Sequence, residues 1–265
     1  MSIVNKGTAL ITGASSGIGA VYADRLASRG YNLILVARNS GRLHKLATRL
    51  TDETGQSIEI LSADLTEQSD LARIEKVVRA DASITLLLNS AGVGVAPTLL
   101  AADSDKIQAM IALNIVAVTR LVCAAVPGFV ARGTGTIINI ASILALAPEL
   151  LNGAYGASKA FVLTFSRSLH HEFAGKGMRI QAVLPGAVAT EFWGITGTSV
   201  ENLPEGTVMS ADDLVDAALA GLDQGELITI PSLPNPSDWA AYEAARRALA
   251  PNLSRAFAAP RFGIA

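Results

Sequence analysis

The sequence predicts an α/β fold, a single-domain doubly wound parallel sheet of about seven strands with helices on both faces. Short apolar runs rich in β-branched residues alternate with longer stretches of helical periodicity. The short runs are apolar on both faces of the predicted strands, which is typical of a parallel sheet covered on both sides. No linker, repeat or low-complexity segment interrupts the alternation. Right-handed crossovers between successive strands then place helices on both sides of one sheet.

Each element follows from its own pattern. Apolar, β-branched runs predict strands at residues 8–12, 31–37, 58–62, 84–89, 136–141, 179–184 and 227–230. Apolar residues at helical spacing predict helices at about 17–29, 40–53, 66–79, 104–131, 155–175 and 211–223.

Two segments depart from the alternation. Residues 191–210 lack a clear period, and long unpatterned insertions in compact domains are usually functional or mobile. The tail from Pro231 holds five prolines and one predicted short helix. We therefore predict one domain over residues 1–230, including a substrate loop at 191–210, and a Pro-rich tail over 231–265.

Composition excludes several classes of protein. Of the 265 residues, 50% are hydrophobic and 17% are charged, which argues against intrinsic disorder. The formal net charge is −2 and basic residues do not cluster, so a nucleic-acid partner is not expected. A single cysteine excludes disulfides within the chain and a zinc finger. Without a secretory signal or an uncharged run long enough for a membrane span, a cytoplasmic protein without membrane contact is expected.

A glycine-rich loop follows the first predicted strand and opens the first helix. Gly13, Gly17 and Gly19 give the spacing G-x-x-x-G-x-G, and Ser15 and Ser16 add hydroxyl donors between them. Such a loop lets backbone approach a pyrophosphate at a helix N-terminus. The alternative is a tight turn that binds nothing. Since strand, loop and helix occur in the required order, we favour cofactor binding.

A tyrosine and a lysine, Tyr155 and Lys159, stand one helical turn apart in "YGASK" with only small residues between them. A free tyrosine has a pKa of about 10, and a lysine held nearby would lower that pKa by favouring the phenolate. The pair is therefore a candidate general acid–base working near neutral pH. Pairs at this spacing also occur by chance on solvated helix faces, and this alternative stays open on the motif alone.

Two polar residues elsewhere favour the catalytic interpretation. Ser142 ends the fifth predicted strand, and doubly wound sheets bind ligands at the carboxyl ends of their strands. Asn114 is a polar residue in an otherwise apolar helical stretch. It either serves a site or is a buried amide whose hydrogen bonds are satisfied within the core.

Together these motifs resemble those of the short-chain dehydrogenase/reductase family, in its compact branch, over roughly residues 5–230. The resemblance implies a Rossmann fold. The family's catalytic tetrad is matched by Asn114, Ser142, Tyr155 and Lys159. Its cofactor-binding positions, which also include Tyr155 and Lys159, are matched by Thr12, Gly13, Ser15, Ser16, Gly17, Ile18, Gly19, Asp64, Leu65, Asn89, Ala91, Gly92, Pro185, Gly186, Val188 and Thr190. Ser90 stands where the family more often has a second asparagine, and the tail matches nothing in the shared pattern.

The resemblance also implies roles. Tyr155 would exchange a proton with the substrate oxygen, and Ser142 would hydrogen-bond that oxygen. Lys159 would lower the Tyr155 pKa and hold the nicotinamide ribose, while Asn114 would anchor a water that links Lys159 to solvent. A nicotinamide cofactor would carry the hydride.

The end of the second strand predicts which cofactor is used. Ala37 occupies the position where an NAD-specific fold usually has an acidic residue, and Arg38 follows it. A guanidinium suits a 2′-phosphate, so NADP(H) is expected in preference to NAD(H). The alternative is that Arg38 is an ordinary surface residue and the protein does not discriminate between NADP(H) and NAD(H).

Other residues are not assigned to a site. His44, His170 and His171 are expected on helix surfaces, and Cys123 in a buried apolar stripe. Glu149 either is a solvated loop carboxylate, which we favour, or faces the substrate. Three apolar residues of the unpatterned segment, Trp193, Ile195 and Met209, belong either to a mobile lid over an apolar pocket or to ordinary core contacts.

The expected function is the interconversion of a ketone or aldehyde and the corresponding alcohol, with a small-molecule substrate of apolar character. Two alternatives stay open: an epimerase or dehydratase on the same fold, and an inert NADP(H)-sensing binding protein. Helices 104–131 and 155–175 are apolar on more than one face, which predicts a homodimer or homotetramer. The alternative is that the tail covers the second apolar face.

Overall fold

A computed structural model describes residues 6–94, 100, 102–150, 153–193 and 203–264. The chain divides into two compact units, Met1–Pro231 and Ser232–Ala265. The first unit is a doubly wound α/β fold, so the predicted fold class is confirmed.

Seven parallel strands form the central sheet of the first unit, in the spatial order β3-β2-β1-β4-β5-β6-β9. Their bounds are Thr8–Thr12 (β1), Asn32–Ala37 (β2), Ile58–Ser62 (β3), Ile84–Asn89 (β4), Gly135–Ile140 (β5), Met178–Val183 (β6) and Ile228–Thr229 (β9). Two short strands, Ala187–Val188 (β7) and Val208–Met209 (β8), pair with each other in parallel. The strand order reverses beside β1, which pairs with β2 on one side and β4 on the other. Doubly wound sheets bind ligands in the crevice at this point.

Helices cover both faces of the sheet. Their bounds are Gly17–Ser28 (α1), Ser40–Thr54 (α2), Gln68–Ala80 (α3), Ser104–Ile111 (α4), Val118–Arg132 (α5), Ala154–Glu172 (α6) and Ala211–Asp223 (α7). Single 3₁₀ turns occupy Ile143–Ala145 and Pro148–Leu150.

Buried side chains alternate between the two faces along β1, which explains why the strand is apolar throughout. Ala9 and Ile11 pack in a core with α1, α2 and α7. Leu10 points to the other face and packs in a second core with α3, α5 and α6. Two separate cores therefore fix the sheet from both sides.

The predicted continuous helix 104–131 is interrupted in the structure. Residues Ala112–Ala117 form a π-helical turn between α4 and α5, and this turn contains Asn114. A π turn inserts one extra residue without breaking the hydrogen-bonded ladder, and such turns are frequent at functional sites. The insertion shifts the helical phase, so the faces of α4 and α5 do not follow one period.

Among the described residues, one helical stretch, Ser104–Arg132, is long and apolar enough to cross a membrane. Its most apolar 18 residues have a mean hydropathy of 2.1, and 44% of them are buried. Leu121, Val122 and Phe129 of this stretch belong to the second core. These three residues therefore pack on the sheet, while Ile111 and Val116 of the same stretch are exposed.

The second unit contains α8 (Pro236–Ala248) and two 3₁₀ turns, Ala250–Asn252 and Pro260–Phe262. Trp239 and Tyr242 stack with ring centroids 5.1 Å apart on α8. None of the described residues of this unit is buried, so it has no core of its own in that part of the chain.

Candidate active site

A groove of about 990 Å³ opens at the carboxyl ends of β1, β2 and β4, where the strand order reverses. The loop before α1 forms one wall, the start of α2 and the residues after β3 form the next, and the segments after β4 and β7 complete it. The predicted cofactor residues that line it are Gly13, Ser15, Ser16, Gly17, Ile18, Gly19, Arg38, Asp64, Leu65, Ala91, Gly92 and Thr190.

Close approach explains the glycines of the loop. Gly13 and Gly17 have φ values of 69° and 52°, in the left-handed region that favours glycine. A Cβ atom on Gly19 would lie 2.3 Å from the carbonyl oxygen of Gly13. Ser16, the residue before α1, makes no side-chain cap bond in the described structure. A narrow loop that ends at an uncapped helix N-terminus fits the pyrophosphate of a dinucleotide.

Two predicted cofactor residues lie behind the groove and do not line it. The Thr12 hydroxyl accepts hydrogen bonds from the amides of Ser90 and Ala91, both at 3.1 Å, which ties β1 to the segment after β4. The Asn89 amide is buried and donates to Asn139 Oδ1 at 2.8 Å, and Asn139 in turn donates to Ser166 at 2.9 Å. Thr12 and Asn89 therefore hold the strands that support the groove.

Both the oxygen and the nitrogen of the Asn114 side-chain amide form hydrogen bonds within the protein. Its Oδ1 accepts from the Val93 amide at 3.0 Å, and its Nδ2 donates to Val93 O at 3.0 Å and to Ser158 Oγ at 3.2 Å. The π turn thus attaches the segment after β4 to α6. A Cβ atom on Gly92, which lines the groove, would lie 3.3 Å from Asn114 Oδ1 and 3.5 Å from Lys159 Nζ. Asn114 and Lys159 therefore adjoin the groove.

Ser142 lies just after β5 and caps the 3₁₀ turn Ile143–Ala145. Its hydroxyl accepts from the Leu144 amide at 3.2 Å and donates to Pro185 O at 3.5 Å. A Cβ atom on Gly156, the neighbour of Tyr155, would lie 3.3 Å from Leu144 O. The turn that Ser142 caps therefore packs against the first turn of α6, which carries Tyr155.

Lys159 lies over the ring of Tyr155 without bonding to its hydroxyl in the described contacts. The ammonium is 5.6 Å from the ring centroid and donates to Ile140 O at 2.9 Å. Burial lowers the pKa of Lys159 from 10.5 to about 8. Burial also raises the pKa of Tyr155 above its ordinary value. The net shift of the Tyr155 pKa is thus upward, opposite to the direction expected from Lys159, because desolvation of the phenol dominates.

An aromatic pair covers Tyr155 from the segment after β7. The Phe192 ring lies 5.6 Å from the Tyr155 ring and also lines the groove. Trp193 packs edge-on against Phe192 at 5.9 Å, and its Nε1 donates to Val188 O at 2.8 Å.

The other predicted residues on this side of the site lie off the groove wall. Pro185 O accepts from the amide of Ile143 at 2.9 Å, and Gly186 would place a Cβ atom 3.8 Å from Ile143 Cδ1. Val188 is buried in the first core, and Met209 packs against that core. Ile195 lies outside the described residues, so of the three apolar residues singled out in segment 191–210 only Trp193 and Met209 can be placed.

Charged residues line the rim of the groove, and among them is Arg38, the predicted contact for a 2′-phosphate. Its guanidinium is 70% exposed and lies 3.7 Å from Asp64 Oδ2. Asp64 Oδ1 accepts from the Thr66 amide at 3.0 Å and from the Thr66 hydroxyl at 2.7 Å. Burial alone would raise the Asp64 pKa, but these hydrogen bonds and the Arg38 charge outweigh it and lower the pKa. The acid nearest Arg38 is therefore held as a carboxylate.

Three charged residues of the groove were not predicted from the sequence. Arg42, in the first turn of α2, and Glu191, after β7, both line the groove and form an ion pair at 2.6 Å. Lys106 of α4 also lines it. Two of these positions had an available signal, because Arg42 follows soon after Arg38 and Glu191 comes directly after Thr190 of the predicted cofactor segment.

Other residues kept out of the site occupy surface positions. His44, His170, His171 and Glu149 are exposed, and no metal-binding cluster occurs among the described residues. Cys123 is also exposed, so its predicted burial is wrong: it lies on the outward face of α5.

Comparison with known protein families assigns most of the chain to a described family. The family model described as short chain dehydrogenase matches residues 7–199. Human 17-beta-hydroxysteroid dehydrogenase type 3 is 36% identical over 215 residues, which are 80% of this chain and 66% of the relative. The chain therefore spans about two thirds of that relative's length.

Solved structures extend the likeness to nearly the whole chain. A short-chain dehydrogenase from Sphingobium yanoikuyae in complex with NADPH is 49% identical, with a TM-score of 0.93 and 96% and 98% of the two chains covered. The bulky-bulky ketone specific alcohol dehydrogenase from Comamonas testosteroni is 45% identical, with a TM-score of 0.90 and coverage of 98% and 99%.

Proposed function

Because the chain belongs to the short-chain dehydrogenase/reductase family, we propose that it is an NADP(H)-dependent oxidoreductase that interconverts a ketone or aldehyde and its alcohol. The observation that carries this proposal is that the dinucleotide groove and the candidate catalytic residues meet at one edge of the sheet. Gly92 lines the dinucleotide groove and approaches both Asn114 and Lys159. Phe192 lines the same groove and contacts Tyr155.

The residues of the groove fit a dinucleotide. The loop from Gly13 to Gly19 would hold the pyrophosphate, and Asp64 and Leu65 would lie beside the adenine. The segment from Pro185 to Thr190 would lie beside the nicotinamide. When bound, the nicotinamide ring supplies or accepts the hydride.

The chain's own residues handle the proton and the oxygen. The Tyr155 hydroxyl donates its proton to the substrate oxygen in reduction and takes it back in oxidation. A phenol whose pKa is raised by burial holds its proton until the oxygen becomes basic. The Ser142 hydroxyl hydrogen-bonds the same oxygen as negative charge develops there.

Lys159 places a positive charge beside this site. With a pKa of about 8, most of its side chains are protonated at neutral pH, so it favours negative charge on the phenol during transfer. Asn114, bonded to Val93 and Ser158, positions the backbone between Lys159 and the groove. A water bridging Asn114 and Lys159 to solvent stays part of this proposal.

The preference for NADP(H) rests on Arg38. Its largely exposed guanidinium follows β2, where the adenosine ribose binds in such folds, and position 37, where NAD-specific folds usually have a carboxylate, is an alanine. The Sphingobium relative, whose solved complex holds NADPH, supports this choice. Arg38→Ala should weaken NADPH binding by at least about tenfold and barely change NADH. Ala37→Asp should reverse the preference, whereas a wild-type enzyme that uses both cofactors equally would refute it.

The substrate is proposed to be a ketone or aldehyde with apolar substituents. Phe192 and Trp193 present aromatic surface beside Tyr155, and the Comamonas relative is described as specific for bulky-bulky ketones. A panel of carbonyl compounds of increasing apolar size, followed by loss of NADPH absorbance, tests this proposal. Preference for small polar carbonyls would contradict it.

The experiment that tests the function itself is Tyr155→Phe. This variant should bind NADPH as the wild type does and lose nearly all turnover, because only the exchanged proton is removed. Tyr22→Phe is the matched control, since Tyr22 is fully buried in the first core and should not affect turnover. A Tyr155→Phe variant that kept a tenth of the wild-type rate would contradict the proposal, and an inactive wild type that binds NADPH would favour an inert binding protein.

We also propose a homo-oligomer. Val116 in the π turn and Phe161 on α6 are large apolar side chains exposed to solvent, and Phe161 stacks on Phe165 at 5.7 Å. Exposed apolar residues on neighbouring helices are typical of subunit contacts. Light scattering at micromolar concentration should give a multiple of 27.4 kDa.

A further inference from the structure

An ion pair crosses the cofactor groove. Arg42 Nη1 lies 2.6 Å from Glu191 Oε2, and both residues line the groove. Arg42 belongs to the first turn of α2, on the side of the groove that follows β2. Glu191 follows β7, on the side that carries the aromatic pair. This pair, called the latch below, therefore joins two walls that the chain separates by 149 residues.

The latch is attached directly to the ring over Tyr155. Glu191 precedes Phe192, whose ring lies 5.6 Å from that of Tyr155. Trp193 packs against Phe192 and is bonded to Val188 O, so its indole reports on this segment. A change in the position of Glu191 would thus be felt at Phe192 and at the indole of Trp193.

Arg42 also lies where a phosphate on the adenosine ribose of a bound dinucleotide would bind. Arg38, Asn39 and Arg42 line the groove just after β2, the strand end that receives the adenosine ribose in doubly wound folds. A phosphate on that ribose would lie among these side chains. The planar guanidinium of Arg42, now facing the Glu191 carboxylate, matches phosphate oxygens equally well.

We propose that Arg42 exchanges partners on cofactor binding, leaving Glu191 for the 2′-phosphate of NADP(H) and thereby releasing the Phe192 segment from its link to α2. The inference rests on the proposed NADP(H) function and adds a specificity role for Arg42 and a positioning role for Glu191. Arg38 would likewise exchange the Asp64 carboxylate, which lies 3.7 Å from its guanidinium, for the 2′-phosphate.

The exposure of the latch sets the size of the effect. The Arg42 and Glu191 side chains are 47% and 64% exposed, and pairs this exposed are weak and screened by salt. Competition from Glu191 should therefore weaken binding of a 2′-phosphate by about two- to fivefold and no more. A weak latch is suited to exchange, since a strong one would exclude the cofactor.

The test uses nucleotide probes that lack the nicotinamide. Adenosine 2′,5′-bisphosphate carries the 2′-phosphate, and 5′-AMP does not. The protein has two tryptophans, so Trp239→Phe leaves Trp193 as the single reporter. Binding is measured by calorimetry, and the Trp193 emission is recorded in the same titrations.

In this background the bisphosphate should bind more tightly than 5′-AMP and change the Trp193 emission, and 5′-AMP should not change it. Glu191→Gln should bind the bisphosphate about two- to fivefold more tightly and lose most of the emission change. Arg42→Gln should bind it more weakly and also lose the change. Glu53→Gln is the matched control, because Glu53 pairs with Arg49 at 2.6 Å on α2 outside the groove lining.

The outcomes separate the two ideas. If the bisphosphate binds no better than 5′-AMP to the parent protein, the proposed cofactor preference fails and the exchange fails with it. If it binds well but equally to the parent and to Glu191→Gln, the exchange alone is overturned. An unchanged Trp193 emission on tight bisphosphate binding would likewise overturn the release of the Phe192 segment.

Discussion

Replacing Lys159 by methionine should change how the stability of the protein depends on pH. Methionine keeps the length of the side chain and removes the ionisable group. Lys159 is buried, and burial lowers its pKa from 10.5 to about 8 in the folded protein. The unfolded chain binds this proton more tightly than the folded protein does, so the charged form of Lys159 opposes folding.

The size of this effect follows from the shift. Each unit of pKa difference corresponds to about 1.4 kcal/mol, so below pH 8 the buried charge costs about 3 kcal/mol. Between pH 8 and pH 10.5 the folded protein has lost the proton and the unfolded chain still holds it, so stability rises with pH. The free energy of unfolding of the wild type should therefore gain about 2 kcal/mol relative to Lys159→Met from pH 7 to pH 9.5.

Urea unfolding of both proteins, without cofactor, at several pH values measures this difference. Loss of the hydrogen bond to Ile140 O adds a constant offset between the two proteins, so only the pH-dependent part is interpreted. Lys176→Met, which changes an exposed lysine, is the control and should show no such trend. A difference between wild type and Lys159→Met that stays constant from pH 7 to pH 9.5 would refute the reasoning.

Three further predictions concern the loop, the sheet and the surface. Gly19→Ala should abolish NADPH binding in a calorimetric titration, because its Cβ atom would lie 2.3 Å from Gly13 O, whereas Gly41→Ala, with 3.6 Å to Asn39 Oδ1, should retain it. Asn139→Leu should lower the free energy of unfolding in urea by about 1–3 kcal/mol, because it leaves the buried amide of Asn89 without its acceptor; an unchanged midpoint would contradict this. Phe161→Glu should shift light scattering toward the 27.4 kDa monomer without loss of the folded circular dichroism spectrum, and an unchanged mass would remove Phe161 from the interface.

The parts of the fold that could be predicted are those with a local cause. The strands of the central sheet are apolar throughout because side chains on both faces are buried, as Leu10 and Ile11 show. The glycine loop could be recognised because its spacing reflects backbone contacts within a short stretch, such as that between Gly13 and Gly19. Apart from the π turn inside the predicted helix 104–131 and the unpredicted strands β7 and β8, the element boundaries differ from the predicted ones by a few residues at most.

The parts that could not be predicted depend on how distant elements meet. The π turn around Asn114 has no sequence signal, because an inserted residue changes the helical phase without changing residue types. Cys123 was expected to be buried because its neighbours along the chain are apolar, but those neighbours do not show which face of α5 points outward. Arg42 and Glu191 look like ordinary surface charges until the fold brings them across the groove. The raised pKa of Tyr155 depends on burial, which the Tyr–Lys spacing does not contain.

The short pair of β7 and β8 has a consequence for how this chain can change. It holds Ala187 beside Val208 and Val188 beside Met209, and the Ala189 amide donates to Met209 O at 2.9 Å. Because the ends of residues 189–207 are fastened together, lengthening the segment is cheap, at about 0.6 kcal/mol for each doubling of a loop. Evolution or a protein engineer can therefore exchange this segment as a cassette. New substrates could be admitted in this way while Ser142, just after β5, and Tyr155 and Lys159, on α6, are inherited unaltered.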